Sequence, residues 1–171
     1  PASSGSSIGV TLVRCPEELG PALEVAFREY PKALIEERIE GRELTVGILG
    51  EKAMPPIEII PAREFFDYTA KYGEAGTRYE EPRDLGTEAL SELESAALRA
   101  HRALGCSGVS RVDFMRGEAG PVFLEVNAIP GLTRKSLVPK MAVKMGITFP
   151  DLCVRIIEES LRSRRPQGVR R

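Results

Sequence analysis

The 171-residue sequence has little of what many chemistries depend on. Its three cysteines, Cys15, Cys106 and Cys153, are odd in number and far apart. That excludes a disulfide framework and a clustered thiolate metal site, and it points to a reducing, cytoplasmic setting. The single histidine, His101, lies in a helical pattern. Its place in a helical pattern argues against mechanisms built on a histidine dyad or triad, and it reads as a surface or groove residue. Neither sign of charge predominates: 24 Lys and Arg against 25 Asp and Glu give a formal net charge of −1. Such a balance offers nothing to attract nucleic acid or an anionic membrane. No apolar run approaches the ~20 residues of a membrane span. No basic start with an apolar core announces a signal peptide. The glycine- and serine-rich stretch 1–9 matches neither G-x-x-x-x-G-K-[ST] nor G-x-G-x-x-G, so neither a P-loop nor a Rossmann fingerprint is present. Its open backbone and hydroxyls suit an anion, and equally a flexible linker. A chain opening on such a loop is expected to be cut from something longer.

What remains is an ordinary globular composition, 42% hydrophobic and 29% charged, enough for one domain or two small ones. Alternation predicts strands over 8–14, 33–39, 42–49 and 54–60. Gly41 separates the second and third as a hinge or crossing point, and Pro55-Pro56 suggests an edge position for the fourth. Helical spacing is read over 16–30, over 87–104 with Thr87 as N-cap and Gly105 as stop, over 136–145, and over 149–162 with Thr148 as cap. Residues 61–85 carry five aromatics without periodicity and read as an ordered lid bearing Lys71. Residues 162–171 read as a basic, solvated tail.

The organising stretch is Arg111-Val112-Asp113-Phe114-Met115, a short connection, then Val122 to Asn127. Both halves alternate, and Gly117 and Gly120 suit a hairpin turn. A period of two puts Arg111 with Asp113, and Glu125 with Asn127. If those faces coincide, two carboxylates, an amide and a guanidinium converge. Such an all-oxygen donor set suits Mg²⁺. A solvated hairpin face with Arg111 neutralising Asp113 is equally open on the hairpin alone. The apolar, rigid loop 127–133 favours a site.

Seven motifs in order carry a resemblance: Gly-Ser-Ser-Ile-Gly-Val (5–10), Leu-Ile-Glu-Glu-Arg-Ile (34–39), Gly-Arg-Glu-Leu-Thr-Val (41–46), Phe-Phe-Asp-Tyr-Thr-Ala-Lys-Tyr (65–72), Arg-Val-Asp-Phe (111–114), Leu-Glu-Val-Asn-Ala-Ile-Pro-Gly-Leu-Thr (124–133) and Ser-Leu-Val-Pro (136–139). Their order and spacing resemble those of the D-alanine–D-alanine ligases, which are ATP-grasp enzymes. The resemblance implies an α+β ATP-grasp fold with an antiparallel sheet and flanking helices. It implies a partial small subdomain at 1–40 and a large subdomain at 41–161, without the N-terminal domain and part of the small subdomain. The cofactors implied are ATP and Mg²⁺ or Mn²⁺, usually two ions, held by Asp113, Glu125 and Asn127. The 5–9 loop with Ser7 resembles the flap over the phosphates, and Lys71 the lid lysine. Glu36, Glu37 and Ile39 resemble the adenine hinge, Glu43 the ribose ligand, and Met115 and Leu124 the adenine sandwich. Arg111 and the Gly131 N–H resemble the oxyanion donors, Ser136 and Leu137 the carboxylate site for the second D-alanine, and Ser6 and Tyr72 a loop-orienting set.

The implied reaction passes through an acyl phosphate of the first D-alanine, attacked by the amine of the second, in peptidoglycan precursor synthesis. The Lys71-Tyr72 pair favours a dipeptide product. The family resemblance also implies a homodimer for the longer protein, while this segment alone is expected to be inactive. Another ATP-grasp carboxylate–amine ligase and a non-catalytic ATP-binding module are the alternative readings.

Overall fold

The structure, a computed structural model, describes residues 9–61 and 76–163. The expectations for Ser6, Ser7, Lys71, Tyr72 and the tail from 164 onward lie outside the described residues. Contacts divide the chain into two compact units, Pro1–Arg38 with Pro61–Arg78, and Ile39–Ile60 with Tyr79–Arg171.

In the first unit, helix α1 (Pro16–Glu29) begins on a proline, carries Glu17 and Glu18 in its first turn and Arg28 in its last. All three features favour this helix polarity. The Glu18 carboxylate also accepts a hydrogen bond from the Arg14 N–H at 2.8 Å. The strands expected over 8–14 and 33–39 do not form among the described residues. Leu34 and Ile35 are 66% and 65% exposed, so no second layer among the described residues covers this alternating run. Alternation marks a face, but a strand exists only where a neighbour takes its N–H and C=O groups.

The second unit is organised by a 6-stranded sheet. Its strands are β1 (Arg42–Leu49), β2 (Lys52–Ala53), β3 (Ile57–Ile60), β4 (Arg78–Glu80), β5 (Val109–Gly117) and β6 (Gly120–Asn127). They lie in the order β4-β3-β1-β5-β6, with β2 on β1. β1 runs antiparallel to β2, β3 and β5, and β5 runs antiparallel to β6. Helices α2 (Thr87–Ala103), α3 (Leu137–Lys144) and α4 (Phe149–Ser163) flank the sheet. No helix among the described residues is long and apolar enough to cross a membrane.

β1 is buried almost throughout because both its faces are covered. Leu44, Val46 and Ile48 meet Leu93 and Ala97 of α2, together with Val112 and Phe114 of β5. On the opposite face, Met54 and Ile57 pack with Val138, Met141 and Ala142 of α3, and with Leu152 of α4. The strand expected over 54–60 starts only at Ile57 and is not at the edge, because β4 lies outside it. The two prolines precede the ladder, which they cannot enter as donors. The N-cap of α2 is Gly86 rather than Thr87, with no side-chain cap. Gly105, at φ +66°, follows the C-cap as expected. In α4, the Thr148 hydroxyl accepts from the Asp151 N–H at 3.3 Å and donates to the Asp151 carboxylate at 2.6 Å. Gly41 is a close backbone crossing: a Cβ there would stand 2.2 Å from the Arg116 carbonyl oxygen.

His101 is not a surface or groove residue. It is 2% exposed, with Nδ1 2.7 Å from the Ser110 hydroxyl. Burial lowers its pKa from the ordinary 6.5, the Glu51 charge opposes that shift, and Arg102 adds to it. The folded chain therefore refuses a proton that the unfolded chain accepts. Stability should be flat above about pH 6.5 and fall below it. Thermal melts from about pH 8 to about pH 5 check this, with His101→Gln expected to lose less stability on acidification than the parent chain. Equal losses would remove His101 from the account.

Candidate functional site

Register decides which polar residues meet. Arg111 lies opposite Asn127 and Asp113 opposite Glu125 across β5 and β6. Directly opposed residues share a face, so the four polar side chains do coincide. On the other side of β5, Gly47 lies opposite Arg111, Thr45 opposite Asp113, and Glu43 opposite Met115. A Cβ on Gly47 would meet the sulfurs of Met141 and Met54 at 2.9 Å. Helix α3 therefore covers this same face at its Gly47 end, and the polar residues continue along the strands beyond it.

Asp113 is the centre of the arrangement and is 6% exposed. Its Oδ1 accepts from Arg111 Nε at 2.9 Å and from the buried Thr45 hydroxyl at 2.6 Å. Its Oδ2 accepts from Arg111 Nη2 at 2.7 Å and from Asn127 Nδ2 at 3.0 Å. The guanidinium fork thus grips the carboxylate with two bonds, which compensates for taking both charges out of water. Asn127 Nδ2 also donates to Glu125 Oε1 at 3.2 Å. One amide nitrogen therefore spans both carboxylates. Glu125 itself is exposed.

A register shift falls between Asp113 and Phe114, so that Phe114 pairs with Phe123 while Asp113 pairs with Glu125. Leu124 is the extra residue of this bulge. Strict alternation would have put Phe123 on the Glu125 face. The bulge instead returns it to Phe114, with the rings 6.2 Å apart at 77°. Met115 stays on the Asp113 face beside Glu43, and Leu124 stands at the bulge, 44% exposed.

The loop after β6 has Pro130 buried and Ile129 94% exposed. It brings Gly131 against Ser136, whose hydroxyl oxygen would lie 3.0 Å from a Cβ on Gly131. The same hydroxyl accepts from the Thr133 N–H at 3.1 Å, and the Ser136 N–H returns to the Thr133 carbonyl at 2.9 Å. Ser136 is the N-cap of α3 and Leu137 its first residue, partly buried on the core. Glu36 and Glu37 belong to the first unit and Ile39 to the second, where its Cγ2 would lie 3.5 Å from a Cβ on Gly117.

The side chain that sequence reasoning missed is Thr45. Its only signal was parity with Glu43 on the same strand β1, which becomes informative once Thr45 is known to pair with Asp113.

The donor set fits a hard divalent cation. Asp113 and Glu125 supply carboxylate oxygens, and a half-turn of the Asn127 amide presents Oδ1 where Nδ2 now spans them. Among the described residues no group of three or more His, Cys, Asp or Glu converges. Those residues alone therefore make no full cage.

A layered α+β domain with this acidic sheet face defines a structural class. Residues 1–158 match the family described as D-ala D-ala ligase C-terminus, and the chain belongs to that family. It is 46% identical over 159 residues to the D-alanine–D-alanine ligase of Anaeromyxobacter sp. (strain K), covering 92% of this chain and 52% of that protein. It is similar to the crystal structure of D-alanine–D-alanine ligase from Bacillus anthracis, with TM-score 0.84 and 42% identity over 98% of this chain and 55% of the other. The same bacterium's enzyme complexed with ATP gives TM-score 0.80 and 38% identity over 94% of this chain and 52% of the other. The chain thus spans about half the length of the curated relatives it matches.

Proposed function

We propose that this chain is the nucleotide- and metal-holding part of an ATP-dependent D-alanine–D-alanine ligase. The observation that carries the reading is the Asp113–Glu125 pair, opposed across β5 and β6 and spanned by the Asn127 amide. The similarity to a relative solved with ATP supports it. Residues 41–161 would form the large subdomain and 1–40 part of the small one. Asp113, Glu125 and Asn127 hold Mg²⁺ or Mn²⁺, two ions in the full site. A divalent ion bound there neutralises phosphate charge.

Glu43 takes the ribose, Met115 and Leu124 take the faces of the adenine, and Glu36, Glu37 and Ile39 read its edge. Arg111 carries a permanent positive charge, which suits it to stabilise the oxyanion formed when an amine attacks the acyl phosphate, with the Gly131 N–H as second donor. Ser136 and Leu137 hold the carboxylate of the second D-alanine at the start of α3, where the helix N-terminus favours an anion. Ser6, Ser7, Lys71 and Tyr72 complete the proposal outside the described residues. Positioning and charge, rather than protein-borne covalent chemistry, do the catalytic work in this scheme. A cytoplasmic setting, no nucleic-acid partner and a homodimer of the longer protein belong to the same proposal.

Isothermal calorimetry of the chain with a non-hydrolysable ATP analogue, with and without Mg²⁺, tests the reading. Metal-dependent binding is expected, whereas D-alanine-dependent ADP release by this segment alone is expected to be negligible. No metal-dependent binding at all would overturn the assignment of the site.

A further inference from the structure

Thr45 is fully buried on the central strand β1, directly opposite Asp113 on β5. A threonine in the middle of an apolar run brings a hydroxyl that must be satisfied. Its Oγ1 donates to Asp113 Oδ1 at 2.6 Å, a short bond of the charge-assisted kind. Its neighbours on the opposite face of the strand, Leu44 and Val46, are ordinary core residues. A valine would fill nearly the same volume without the polar cost, so packing alone does not account for the hydroxyl.

The two oxygens of Asp113 have different partners. Oδ1 is held from below by Thr45, whereas Oδ2 shares the Asn127 amide with Glu125. We infer that Thr45 is a positioning residue for the metal-nucleotide site: its hydroxyl pins Oδ1 and, together with the Arg111 fork, sets the orientation of the carboxylate whose Oδ2 shares the Asn127 amide with Glu125. Arg111 grips both oxygens and also restrains the carboxylate, whereas Thr45 supplies the fully buried donor, at 2.6 Å the shortest described hydrogen bond to Asp113. Partners behind a metal-holding carboxylate set its orientation and basicity, and their loss weakens metal binding even where the fold survives.

The inference rests on the proposed metal-nucleotide reading, and the test separates the two. Mn²⁺ binding is measured by electron paramagnetic resonance on the full chain in the presence of a non-hydrolysable ATP analogue, for the parent, Thr45→Val and Thr45→Ser. Thr45→Val should weaken Mn²⁺ binding by about 10-fold or more, and Thr45→Ser, which keeps the hydroxyl, should bind within about 2-fold of the parent. If the parent binds Mn²⁺ and Thr45→Val binds equally well, the positioning role is wrong and the reading stands. Loss in the serine variant equal to that in the valine variant assigns the effect to packing and also overturns the role. If the parent binds no Mn²⁺ with the analogue, the reading fails and the inference with it. Should Thr45→Val not fold, Thr45→Ala decides by the same comparison with Thr45→Ser.

Discussion

Glu125→Gln leaves the sheet folded and lowers Mg²⁺-dependent nucleotide affinity by about 100-fold, at the upper end of what perturbing a metal site costs. The fold survives because Glu125 is exposed and its one described hydrogen bond comes from an amide that also bonds Asp113. Glutamine is close in shape and can still accept from Asn127. What it removes is charge: one of the two carboxylates that face each other across β5 and β6. A hard divalent ion loses far more from a neutral amide in place of a carboxylate than a hydrogen bond does. Calorimetry against a non-hydrolysable ATP analogue, with circular dichroism as the control for folding, reads both halves. Unchanged binding would return the hairpin to a solvated face with Arg111 balancing Asp113.

Phe114→Ala should cost about 3–5 kcal/mol of folding stability, measured by urea denaturation. Phe114 is 1% exposed, sits in the cluster between the sheet and α2, and meets Phe123 edge to face. Removing it opens a cavity beneath the bulge at Leu124. The ring contact that helps draw Phe123 to that side of the sheet is lost as well. The effect should not stay in the core. Asp113 precedes Phe114 immediately and the register shift falls between them, so nucleotide affinity should drop in the same variant. A loss below about 1 kcal/mol would mean that the bulge is held by its backbone alone.

Much of the domain was legible because its signals are local. A proline at the start of α1, Gly105 after α2 and Thr148 before α4 act through the backbone groups of their own turns. The alternation of β5 and β6 needed only the two-residue period to separate Arg111 and Asp113 from Val112 and Phe114. The misreadings share a cause. Residues 33–39 alternate as well as 42–49 do, yet only the second run is a strand, because β3 and β5 lie on either side of it. His101 looked like an exposed helical residue until the hydroxyl of Ser110, nine positions later in the chain, was placed beside it.

The hairpin shows where the division falls. The sequence by itself determined which side chains are available, two carboxylates, an amide and a guanidinium, and by alternation which pairs share a face within each strand. Only the tertiary structure decided that the two faces are the same one, that Leu124 is the extra residue that turns Phe123 to the Phe114 side of the sheet, and that Thr45 stands behind Asp113. The physical reason is range. Side-chain direction follows from the backbone one or two residues away, whereas register and the partners of a buried oxygen depend on strands that meet only after the chain has folded.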